Sequence, residues 1–136
     1  MAGVFIATAV AVATLVQVNA QGVPGSSARD RVLKNRSCDG CDLTGVDLSR
    51  ADLKGVSLAG AKLAGASFYK SDLTSAYFGG ADLSKAVLTF ANLSNANLSN
   101  ANLSGANLVG VVGADLSAAK TDASTVCPDS TAGPCR

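Results

Sequence analysis

Histidine and tryptophan are absent from the 136 residues, and two tyrosines and four phenylalanines are the whole aromatic complement. Without histidine the chain lacks the commonest general acid–base group and the commonest protein metal ligand. With so few large side chains, a globular core of ordinary shape is hard to fill. Ala, Gly, Leu, Ser and Asn recur instead, a composition suited to something narrow and regular. Charge of one dominant sign is missing too. The formal net charge is +1, which indicates neither a strongly basic nucleic-acid binder nor an acidic decoy. The length leaves room for one domain.

Charged side chains are also missing from the first 28 residues. Val4 to Val18 form an apolar stretch shorter than the ~20 residues of a comfortable bilayer span. It runs into Val18-Asn19-Ala20-Gln21, with small residues where a signal peptidase reads. The expectation is a secretory signal peptide over residues 1–20, cleaved after Ala20, rather than an uncleaved anchor. No Lys or Arg precedes the apolar run, so its leading positive charge falls to the terminal amine or to residues upstream. No membrane contact is expected after cleavage.

What the chain has in abundance is a beat of five. From Cys41 to Gly110 it divides into fourteen consecutive pentads. Call the central residue of each i: it is Leu in twelve pentads and Phe68 and Phe78 in the other two. Two places earlier stands a small residue, Ala in ten pentads and Cys41, Val46, Val56 or Ser71 in the rest. Repetition this strict points to a repeat architecture. Five residues on an α-helix advance by about 500°, so successive leucines would spray around the circumference. On a straight strand an odd period would put Leu43 and Leu48 on opposite sides. The chain must therefore turn between pentads, with i−2 and i pointing inward and a corner at i+1 and i+2. Gly45, Gly55, Gly60 and Gly65 fall at i+2, where unusual dihedrals cost glycine least.

The beat seen in Ala81-Asp82-Leu83-Ser84 and Ala91-Asn92-Leu93-Ser94-Asn95 resembles the pentapeptide-repeat family. The resemblance covers at least residues 41–110. It implies an all-β solenoid, a right-handed quadrilateral β-helix with four pentads to each coil; handedness and squareness come from the resemblance alone. Coils one β-spacing apart, ~4.8 Å, would join through backbone hydrogen bonds and need capped ends.

The implied organisation is a linker and N-terminal cap over 21–40, the β-helix over 41–110, an irregular last coil over 111–126 and an irregular tail over 127–136. Ser27 is placed to N-cap a short helix over 28–35, with Asp30 in its first turn and Val32 and Leu33 covering the solenoid end. This lead-in, Val32 through Leu43, resembles the N-terminal cap of many cyanobacterial members. Beyond Gly110 the beat breaks at Val111-Val112-Gly113, reads as an insertion of three residues, resumes at Leu116, and continues weakly through Thr121 and Val126.

Four cysteines stand as Cys38-x-x-Cys41 and as Cys127 with Cys135. The two pairs fall at opposite ends of such a solenoid, ~15–20 Å apart on the coil spacing, too far to share one zinc. A helix precedes Cys38 instead of starting at it, unlike the reactive cysteine of a thioredoxin-like motif. Cys38 and Cys41 continue the i and i−2 registers inward, as small core residues or as a disulfide. A disulfide between Cys127 and Cys135 is the expectation for the tail, since an exported protein meets an oxidising compartment. The Asn-x-Ser triplets, such as Asn92-Leu93-Ser94, follow from the repeat and from a bacterial-type resemblance, so no glycosylation is expected.

Some family members resemble duplex DNA and inhibit type II topoisomerases. Here Asp42, Asp47, Asp52, Asp72 and Asp82 are matched by Arg50, Lys54, Lys62, Lys70 and Lys85 over residues 41–110. That balance leaves no acidic field to imitate phosphates, and no nucleic-acid partner is expected. Catalytic residues, cofactors and metal ligands are likewise not expected, because Asp, Asn and Ser are strewn by the repeat with no convergent constellation.

The outer surface is what remains. Residues twenty apart stack, so Tyr69, Val87, Phe90 and Val109 should cluster outward on the face centred on Leu48, Phe68, Leu88 and Leu108. Tyr77 stands alone on the opposite face. An exposed apolar–aromatic cluster suggests a contact surface for a protein partner or for self-association. The expected function is an exported, non-enzymatic scaffold or interaction module, in a periplasm or thylakoid lumen. The alternative is a redox-responsive factor acting through Cys38 and Cys41.

Overall fold

The computed structural model describes residues 27–135; the expected signal peptide lies outside them. The chain enters through helix α1, Ala28–Asn35. Ser27 Oγ accepts from the Asp30 N–H, and the Asp30 carboxylate in turn accepts from the Ser27 N–H, a reciprocal capping box. The helix ends at Arg36, whose left-handed backbone (φ 58°) turns the chain away. Val32 points into the solenoid and is fully buried in its core.

From Ser37 onward the chain coils with a repeat of twenty residues, recorded as parallel bridges running from Ser37↔Ser57 through Asp42↔Lys62 to Asn92↔Val112. Each bridge is a single residue pair, recurring once per pentad, because the corner follows at once. In the regular coils the N–H of the i residue donates forward to the carbonyl of i−1 in the next coil, as in Leu48 N–H to Ser67 O at 2.8 Å. The N–H of i−1 donates backward, as in Ser67 N–H to Val46 O at 2.9 Å. The corner closes when the next i−2 residue donates to the carbonyl of i, as in Val46 N–H to Leu43 O at 3.1 Å. With backbone donors used between coils, the inward leucines and alanines meet no unpaired amide. Leu48, Leu53, Leu58, Leu63, Leu73, Leu83, Leu88 and Leu93 are all fully buried. Phe68 and Phe78 are buried in the same interior, edge to face at 5.8 Å between centroids.

Among the described residues no earlier coil donates to the carbonyls of the first. Arginines from the helix end supply the missing donors. Arg36 reaches Asp52 O at 2.6 Å and Lys54 O at 2.7 Å, the two carbonyls that i and i+2 amides of an earlier coil would have taken. Arg29 Nε donates to Asp47 O at 2.8 Å in the same way. The planar guanidinium fork suits this, since two adjacent carbonyls can be served from one rigid group.

The last coil corrects two readings. Val112 still bridges Asn92, but Asn102 bridges Lys120 and Asn107 bridges Val126, spacings of 120−102 = 18 and 126−107 = 19 instead of twenty. Val111-Val112-Gly113 is therefore a pentad cut short, not an insertion: Val112 O accepts from Leu93 N–H, and the chain then turns early so that Leu116 can enter the core. One residue is regained between Asp122 and Thr125, so Cys127 takes the inward place and Val126 the bridging one. Buried Thr125 is satisfied by donating to Leu103 O at 3.0 Å. The tail folds back on the last coil. Cys127 N–H, facing outward with no further coil, donates to Thr131 O at 2.7 Å, and Val126 bridges Ala132 antiparallel. The hairpin covers an edge that would otherwise invite another strand.

Candidate interaction surface

Coil stacking carries the outward residues into columns. On the face of Leu48, Phe68, Leu88 and Leu108 the bridging column is Asp47, Ser67, Val87, Asn107. At the corner that follows stand Arg50, Lys70 and Phe90, each twenty residues from the next. All three hold left-handed backbone, with φ of 59°, 56° and 61°.

The side chains at this corner touch one another. The Tyr69 and Phe90 rings meet edge to face at 6.2 Å. The Arg50 guanidinium and the Lys70 ammonium lie 5.9 and 5.3 Å from the centre of the Tyr69 ring, within reach of its electron-rich face. Phe90 lies over Gly110, where a β-carbon would run into its ring. Phe90 is 53% exposed and Val87 37%, whereas Tyr69 and Val109 are half-buried beneath them. Tyr77 is exposed on the opposite face, and so is Val112, at 59%. The sequence reading missed Val112, because the beat that assigns inside and outside is lost there.

The cysteines fall at opposite ends. The sulfurs of Cys38 and Cys41 lie at bonding distance, as do those of Cys127 and Cys135. Cys38 and Cys127 are buried at inward positions. Above the first pair, Arg31 of α1 places Nη2 3.3 Å from both sulfurs, and its buried Nε has no partner. Near the second pair a pocket of about 360 Å³ is lined by Pro128, Asp129, Thr131 and Pro134.

Carboxylates beside the corners are used locally. Asp42, Asp72, Asp115 and Asp129 each accept from the hydroxyl and the N–H of the residue two places on, which holds them below the usual carboxylate range. Asp122, with the same contacts from Ser124, is lowered to about 2. These aspartates serve as corner braces. Among the described residues, no group of three or more acidic or cysteine side chains converges as a metal site.

The family model for pentapeptide repeats matches eight copies, over residues 41–80, 51–89 and 76–120. The chain belongs to the pentapeptide-repeat family. Solved structures are similar to it. A pentapeptide-repeat protein from Nostoc Pcc 7120 is 35% identical, with a TM-score of 0.55 over 63% of this chain and 76% of that one. One from the cyanobacterium Cyanothece 51142 is 33% identical over 71% and 95% of the two chains, with a TM-score of 0.48. One from the Arabidopsis thaliana thylakoid lumen is 28% identical over 75% and 69%, with a TM-score of 0.46. No curated protein matches. Membership makes the coil a right-handed quadrilateral β-helix, and the pentapeptide repeat accounts for the regular aspartates without assigning them chemistry.

Proposed function

We propose that this pentapeptide-repeat protein is a non-enzymatic interaction scaffold, working in an exported compartment, through the face of Tyr69, Val87, Phe90 and Val109. The observation that carries the reading is the exposure of Phe90 and Val87 at ladder positions that other coils fill with polar residues or glycine. Exposed apolar side chains of this kind are costly in water and useful in a partner's contact. Changing Val87→Ser together with Phe90→Asn should leave stability within about 0.5 kcal/mol, since Asn95 holds the same backbone conformation as Phe90. Sedimentation of the variant should show self-association or partner binding weakened. Association as strong as in the wild type would rule the face out.

Export is supported by the pattern of residues 1–20 and by the two cysteine pairs. Both pairs are proposed to close as disulfides, which persist in an oxidising compartment such as a periplasm or thylakoid lumen. Arg31, against both sulfurs of the first pair, supports the second reading, a redox response through Cys38 and Cys41, because a nearby cation favours the thiolate. Non-reducing peptide mapping of exported material should find Cys127 joined to Cys135 and Cys38 to Cys41. Four free thiols would overturn the proposal, whereas loss of the Cys38–Cys41 bond alone under mild reductant would favour the redox reading.

A further inference from the structure

One corner of the solenoid departs from the other three. At i+2 the remaining corners carry mainly glycine, asparagine or serine: Gly55, Ser75 and Asn95 at one, Gly40, Gly60, Gly80 and Asn100 at another, Gly45, Gly65 and Gly105 around Lys85 at the third. The corner after the Leu48 face carries Arg50, Lys70 and Phe90 in three successive coils. A left-handed backbone costs any residue other than glycine, asparagine least among them, and a bulky side chain such as phenylalanine is an outlier there. Folding would be better served by glycine at each place. The same cost repeated down a single column, with Phe90 left more than half exposed, points to a use outside the fold.

The chemistry of that column is specific. Arg50 and Lys70 both lean on one ring, that of Tyr69, so this corner carries two cations over a single aromatic side chain. Neither forms an ion pair among the described residues, where Arg36–Asp52 and Lys54–Asp72 are the pairs found. Beside them the Phe90 ring, seated on Gly110 and braced by Tyr69, offers an apolar surface. An anion entering here would find two cations without an acidic partner, and an apolar group one residue away would cover Phe90.

We propose that the corner of Arg50, Tyr69, Lys70 and Phe90 docks a protein segment that presents a carboxylate beside an apolar side chain. The inference rests on the interaction reading above and adds the chemistry of the partner. A protein segment fits better than a membrane surface, because two cations and one exposed ring are too little for stable lipid binding, which needs a broader apolar face.

Amide chemical-shift mapping on the full chain tests it, with the probe peptide acetyl-Glu-Leu-Asp-Phe-Glu-Leu-amide and its Gln/Asn counterpart. Shifts should concentrate at residues 49–50, 69–70, 87–90 and 109–110 and saturate with the acidic peptide. Affinity should fall about tenfold or more for the neutral peptide, and equally for Arg50→Asn with Lys70→Asn. Both substitutions keep the backbone that Asn95 and Asn100 already adopt, so the variant's unchanged spectrum elsewhere verifies its fold. No shifts at the corner, equal binding of the two peptides, or stronger binding to phosphatidylglycerol vesicles than to the peptide would each overturn the proposal. Should association respond to Val87→Ser with Phe90→Asn but not to loss of the two cations, the face binds a partner and only the acidic chemistry is wrong.

Discussion

Replacing Leu93 by Asp is expected to unfold the solenoid. Leu93 is fully buried, and its neighbours are aliphatic side chains whose backbone donors are spent between coils. A carboxylate there would find neither water nor a partner, a defect that costs about 4 kcal/mol or more. Most small domains hold only about 5–15 kcal/mol in total. Stacked coils depend on their neighbours, so the loss should spread in both directions. Circular dichroism should show the cooperative melt gone or shifted far down. Ser99→Asp is the matching surface control, because Ser99 is exposed and its backbone alone is engaged, the N–H by Asn97 and the carbonyl by Gly80 N–H. The neighbouring Ser94 is unsuitable, being half-buried under Gly113 and hydrogen-bonded to Asn92. Equal melts for Leu93→Asp and Ser99→Asp would mean that the inward register is wrong.

Gly113→Ala is expected to have the second largest effect. Gly113 has φ of +72°, and a β-carbon there would sit 2.7 Å from Ser94 Cα. Backbone cannot swing aside as a side-chain tip can. The substitution combines the left-handed penalty of about 1–2 kcal/mol with a backbone collision, about 3 kcal/mol together. Gly60→Ala isolates the first part: its φ is +65° and nothing lies within 4 Å of the added carbon. Urea titrations should place Gly113→Ala well below Gly60→Ala. Equal destabilisation would mean that the early turn after Val112 is looser than described.

Much of the scaffold was legible because each pentad reports its own geometry. Leu at i and Ala at i−2 show which side chains turn inward, and glycine or asparagine at i+2 shows where the backbone turns left. Ser27 and Asp30 announced the helix start in the same local way. The interaction face followed by counting twenties, which put Val87 above Ser67 and Phe90 above Lys70. Counting could not show that Tyr69 is held under two cations and a ring, since that depends on where long side chains settle.

Sequence alone determined the parts whose information is repeated: the five-residue turn, the inward leucines, the columns and the placement of the cysteine pairs at the two ends. Tertiary structure alone decided what happens where repetition stops. Beyond Gly110 no local residue states how many amino acids a coil requires. The count is set by which carbonyls the preceding coil leaves for pairing, and Val112, Lys120 and Val126 take them at spacings of 20, 18 and 19. At the other end, Arg29 and Arg36 read in sequence as ordinary surface charges. Only the folded edge, with carbonyls lacking a coil to pair with, turns them into donors for Asp47, Asp52 and Lys54. A hydrogen-bonding edge is a property of the assembled coil, and so is whatever satisfies it.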